Sequence, residues 1–125
     1  MLTLSALPEP FGICRLPRES DFPVWATASS FFSITRTSEE LSVVCAEEVI
    51  PEGTKSEKGW RCLKVHGPLD FSSTGILSSL LRPLAKANIS VFALSTYDTD
   101  YLLVKERDLE PAKAVLLEEG HNILA

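Results

Sequence analysis

The feature that most constrains this chain is an internal echo at a spacing of 60 residues. Phe31-Phe32-Ser33-Ile34 falls on Val91-Phe92-Ala93-Leu94, Leu41-Ser42-Val43-Val44 on Tyr101-Leu102-Leu103-Val104, and Pro51 on Pro111, without a gap. A chain of 125 residues that repeats itself once has room for two half-domains. It has no room for a large scaffold such as the β/α barrel of roughly 250 residues.

The second copy is the more legible one. Arg61–Gly67 alternates, with Leu63 and Val65 on one face and Cys62, Lys64 and His66 on the other, which predicts a half-buried strand. Asp70-Phe71-Ser72-Ser73 offers helix caps. Ile76, Leu77, Leu80, Leu81 and Leu84 then recur at helical spacing, with Pro83 kinking the last turn and Asn88 as a left-handed stop. Residues 89–95 and 101–105 read as strands joined by Thr96-Tyr97-Asp98-Thr99 in an antiparallel hairpin. Asp108 caps a second helix with Pro111 in its first turn and Leu109, Ala112, Val115 and Leu116 as its stripe; Gly120 ends it, and residues 121–124 add a short strand. Strand, helix, strand, strand, helix, strand closes most simply as an α+β antiparallel sheet with both helices on one face, the ferredoxin-like βαββαβ order.

The first copy is shorter. Phe11–Leu16 matches the strand at 61–67. Too few residues separate it from Phe31, with Pro17 and Pro23 among them, for a full first helix. Residues 51–59 read as the connector. The net charge of −5 lies wholly within residues 1–57, which favours a boundary there, with 1–57 a degenerate first repeat and 58–125 a full second one.

Composition then excludes classes. Hydrophobic residues at 45% are enough for a core, so extended disorder is not expected. An acidic balance argues against nucleic acid or an anionic membrane as the main partner. Cys14, Cys45 and Cys62 form no CxxC pair, so a zinc site has no frame; they read as small buried hydrophobes in a reducing cytoplasm. Neither a signal peptide nor an apolar run of membrane-spanning length is expected.

No sequence pattern of a nucleophile with its base, a phosphate loop or a zinc-protease helix is present, so catalysis, cofactor and metal are not expected. His66 reads as a polar strand-edge residue, and Glu47-Glu48 and Glu118-Glu119 as solvated ends of elements. Two loops carry the polar chemistry. Residues 67–76 lead from a strand into a helix whose first amides suit a carboxylate. Ser95–Asp100 adds hydroxyls, an aromatic face and carboxylates for a cation. The same residues read equally as caps and turn formers.

Lys64–Phe71, Thr74-Gly75-Ile76 and the run from Ser95 to Val104, together with Trp25-Ala26-Thr27 and Phe31–Thr35, resemble the CASTOR-type branch of ACT domains and its small two-repeat bacterial members. The resemblance implies tandem ferredoxin-like repeats that bind a small molecule, most often a free amino acid, and that pair as a homodimer. Carried over by motif, it implies Asp70, Phe71, Ser73, Thr74, Gly75, Thr96, Tyr97 and Asp100 as the ligand-binding residues. Asp100 would face a cationic end, with Phe71 and Tyr97 flanking an aliphatic part. Ser73 and Thr74 stand where the branch's arginine sensor has an acidic residue and a cysteine, which weakens the case for arginine itself. The other readings are a protein–protein interaction module without a working ligand site and a small enzyme acting on an amino-acid derivative.

Overall fold

The computed structural model describes residues 1–70 and 74–124. The strands are β1 (Thr3–Ala6), β2 (Phe11–Leu16), β3 (Ser33–Arg36), β4 (Leu41–Ala46), β5 (Ser56–Val65), β6 (Phe92–Ser95), β7 (Asp100–Lys105) and β8 (Asn122–Leu124). The helices are α1 (Ile76–Lys86) and α2 (Leu109–Glu118), with 3-10 turns at Val24–Ala28, Glu47–Val49 and Glu106–Asp108. The chain divides into two units, one of Met1–Pro8 with Arg61–Ala125 and one of Glu9–Trp60. The expected split at residue 57 assigned the first eight residues to the other half.

In the larger unit the strands run β8-β1-β5-β7-β6. β1 lies antiparallel to β5, with Leu4 opposite Val65, and parallel to β8, with Leu4 opposite Ile123. This departs from the expectation in two ways. The sheet is not wholly antiparallel, and an N-terminal strand intrudes between the repeat's own first and last strands. Leu2, Leu4 and Ala6 turn one way and Thr3 and Ser5 the other, which is the alternation of a half-buried strand. Leu4 is fully buried.

Both helices pack on one apolar cluster in this unit. Leu80 and Leu84 come from α1 and Leu109, Ala112 and Leu116 from α2. They meet Leu4, Leu63, Val65, Leu102 and Val104 from the sheet. Burying each leucine or valine of this cluster stabilises the fold by about 1.5–3 kcal/mol before entropy is counted. Asn88 ends α1 with φ +63 and Gly120 follows α2 with φ +94, as the sequence predicts. The helix starts differ. α1 begins after Gly75, whose φ of +79 suits only glycine well, and no side chain among the described residues caps it. Asp108 occupies the cap position of α2 but makes no side-chain cap bond, because a 3-10 turn already leads into the helix.

In the smaller unit the order is β3-β4-β2-β5, with β5 entering through residues 56–60. Part of the expected connector is therefore strand. Val24–Ala28 is a 3-10 turn where the other repeat has α1, as the prolines require. Phe11 and Phe31 meet edge to face at 5.7 Å. Cys14 and Cys45 are buried among Ala26, Val43 and Ile50. The hydrogen bond from the Cys45 thiol lowers the pKa of Cys14, and the same bond, with burial, raises that of Cys45.

The spacing of the two copies is 59 rather than 60. Ser33 pairs with Val44 and Arg36 with Leu41; Phe92 pairs with Leu103 and Ser95 with Asp100. β4 and β7, and the 3-10 turns after them, obey the same spacing. A slip of one exchanges the faces of a strand. It went unseen because Val43-Val44-Cys45 and Leu102-Leu103-Val104 are buried consecutively and carry no alternation.

Candidate functional site

The strand–helix loop and the hairpin turn are locked together in the larger unit. The Leu69 amide donates to the Asp98 carbonyl at 2.7 Å. The Thr99 hydroxyl, in a residue 5% exposed, donates to the Val65 carbonyl at 2.6 Å. The turn closes on itself through the Thr96 amide to the Thr99 carbonyl at 2.8 Å and the Thr99 amide to Thr96 Oγ1 at 3.3 Å. Gly67 permits the approach: a Cβ there would lie 2.9 Å from the Asp98 carbonyl oxygen. The Gly67–Pro68 peptide is cis.

These contacts leave a cleft of about 330 Å³, within the range of small-molecule sites, about 300–1,000 Å³. Leu69, Asp70, Gly75, the first turn of α1 (Ile76, Leu77, Ser78) and the hairpin Ser95–Asp100 line it. The first amides of a helix have no partner within it, and Gly75 offers no side chain to cap them. The Ser95 hydroxyl donates to Asp100 Oδ1 at 2.6 Å and so orients a half-buried carboxylate. Tyr97 is 80% exposed. A helix start facing carboxylates and a phenol ring suits a molecule with an anionic group at one end and a cationic one at the other.

Of the residues singled out from the sequence, the cleft gathers Asp70, Gly75, Thr96, Tyr97 and Asp100. Thr74 is exposed and does not line it. Phe71 and Ser73 lie outside the described residues. Leu69, Ile76 and Leu77 form an apolar wall that sequence reasoning missed, since helical spacing assigns Ile76 and Leu77 to the core; Ser78, Ser95 and Asp98 are further polar lining. Among the described residues no group of three or more His, Cys, Asp or Glu could hold a metal ion. His66 bonds Ser5 Oγ through Nε2 at 2.9 Å, an exposed strand-to-strand contact. No described helix is long and apolar enough to cross a membrane.

A split βαββαβ sheet with both helices on one cluster, and a cleft between its first strand–helix loop and its hairpin, defines a ferredoxin-like module. Residues 55–118 match the family model of the ACT domain, and residues 9–53 match a second model, of an N-terminal domain. The chain belongs to the ACT-domain family. It is 43% identical over 113 residues to the human protein CASTOR3P, covering 80% of this chain and 67% of that one. It is 36% identical over 100 residues to the bovine cytosolic arginine sensor for mTORC1 subunit 1, covering 71% of this chain. The chain spans only 30% of that sensor's length. The crystal structure of protein Atu0741 from Agobacterium tumefaciens superposes with a TM-score of 0.93 at 41% identity, covering 98% of this chain and 92% of that one.

Proposed function

We propose that this chain is a regulatory module that binds a free amino acid in the cleft between the 67–76 loop and the 95–100 hairpin, and performs no turnover. The observation that carries the reading is the meeting of the α1 start with Asp100 across one cleft of about 330 Å³. The ligand's carboxylate sits at the α1 amides and its cation at Asp100, whose Oδ1 is held by Ser95. Tyr97 covers the aliphatic part. Family membership and the name arginine sensor, borne by relatives, support an amino acid as the ligand class. That same name supports a cytosolic site of action. We further propose that two chains pair through β6, which lies at the end of its sheet's strand order with β7 as its one partner among the described strands.

The test is a thermal-shift screen of the chain against the twenty amino acids, with size-exclusion chromatography on the same sample. A ligand at a hundredfold excess over its Kd stabilises the native state by about 2.7 kcal/mol. Asp100→Ala should weaken binding about thirtyfold, the low end for a charge pair losing one partner. No stabilisation by any amino acid would overturn the ligand reading. A stable homodimer without a ligand response would favour the interaction module.

A further inference from the structure

A second cleft in the larger unit lies between α1 and the junction of α2 with β8. It measures about 440 Å³, and Ser78, Arg82, Lys86, Glu119 and His121 line it. Ser78, Arg82 and Lys86 are spaced i, i+4, i+8 and so stand in one row on α1. Arg82 and Lys86 are exposed, and neither pairs with a carboxylate among the described residues. Lys86 in the last turn complements the helix dipole, but Arg82, a turn earlier, gains little from it.

The opposite wall supplies the observation that a row of surface cations lacks. His121 is 7% exposed, yet it lines the cleft. Its Nδ1 accepts a hydrogen bond from the Leu2 amide at 3.1 Å. That acceptor role places the ring proton on Nε2, which makes Nε2–H a donor. Among the described residues that donor has no partner. An oriented N–H lining one cleft with two cations that pair with no carboxylate among the described residues suits an anion with several oxygens.

We propose that this cleft binds a small phosphate-bearing anion, inorganic phosphate or a phosphomonoester, held by Arg82, Lys86 and His121 Nε2–H. A carboxylate's two coplanar oxygens are satisfied by a single guanidinium fork. Three terminal phosphate oxygens reach donors on both walls. The cleft is large enough to leave room for the organic part of an ester. Glu119 on the rim shares the ligand's sign and limits affinity. Gly75 and Ser78 line this cleft as well as the amino-acid cleft, but none of its three donors does.

The experiment titrates the 125-residue chain with inorganic phosphate and with glycerol phosphate at constant ionic strength. It is read by calorimetry and by the ring nitrogen resonances of His121. Saturable binding that moves the Nε2 resonance is expected. Arg82→Gln and Lys86→Gln should each weaken it about tenfold, the size of one charge-assisted hydrogen bond. Glu119→Gln should strengthen it. His121→Asn keeps an acceptor near the Nδ1 position for Leu2 and removes the Nε2 donor, so it should lose affinity while the melting temperature holds. Binding of both anions identifies free phosphate as sufficient; binding of the ester alone identifies a phosphorylated metabolite. Absence of saturation, equal binding of succinate, or unchanged affinity in the Arg82→Gln/Lys86→Gln double variant would overturn the proposal. Both substituted positions are exposed, so that variant folds and the last outcome stays decisive.

Discussion

Thr37–Glu40 and Thr96–Thr99 close the same turn in the two units. In one, the Thr37 amide donates to the Glu40 carbonyl at 2.9 Å and the Glu40 amide to Thr37 Oγ1 at 3.1 Å. In the other, Thr96 and Thr99 make the same two bonds. At the true spacing of 59, Tyr97 corresponds to Ser38 and Asp100 to Leu41, which is buried. The smaller unit also has a 3-10 turn where α1 would present its amides. A turn fixed by one threonine is therefore scaffold, and the cleft depends on what the next residues and the neighbouring helix add. After the hairpin the units part again. The Glu106–Asp108 turn runs on into α2, whereas the Glu47–Val49 turn meets Pro51 and Gly53, at φ +85, and returns to strand by Ser56.

That comparison can be broken or sharpened by substitution. The largest effect is expected from Leu4→Ala, which opens a cavity in the helix-bearing unit's cluster: a loss of about 3 kcal/mol in denaturant unfolding. Hydrogen exchange should report the loss in β8 and β5 residues 63–65 and leave β2–β4 protected. Unaffected protection in β8 would deny that β1 belongs to that unit. Next comes Gly67→Ala. Its methyl would press on the backbone oxygen of Asp98, and separating the two loops should cost about 2 kcal/mol in stability. It should weaken amino-acid binding more than that loss alone implies. The smallest effect is expected from the matched pair Thr37→Val and Thr96→Val. Each removes one side-chain acceptor and should cost about 1 kcal/mol of stability. Only Thr96→Val should alter ligand affinity. Equal effects on binding would place a site in both hairpins.

Reading the sequence recovered the parts that obey a period. The stripes of α1 and α2 follow from spacing, because each has one face in a core and one in water, and the hairpin of β6 with β7 follows from two apolar runs about a polar turn. β1 obeyed its period too, in Leu2, Leu4 and Ala6. It lies outside the repeat, which begins at Phe11, and a partner nearly 60 residues or more downstream leaves no local mark. The cleft was half legible. Its polar residues stand out in two loops, but Leu69, Ile76 and Leu77 are indistinguishable from core by pattern. Asp70 and its neighbours had the composition of a cap, yet the helix starts at a glycine. A left-handed φ releases the chain there, at a residue with no side chain to make a cap bond. The second cleft has no local signature, since Arg82 and His121 meet only through the fold.

The position of β1 between β5 and β8 bears on how the chain is made. Thr3–Ala6 leaves the ribosome before either of its partners, Leu63–Val65 and Asn122–Leu124. At about 5–20 residues per second, the wait from Leu4 to Ile123 is roughly 6–24 s. The Glu9–Trp60 segment has its internal contacts within reach long before that. β1 is thus seated in full only after a strand made more than a hundred residues later has emerged. Until then Leu4 and its neighbour Leu2 are available to any nascent-chain chaperone or to a neighbouring copy on the same message.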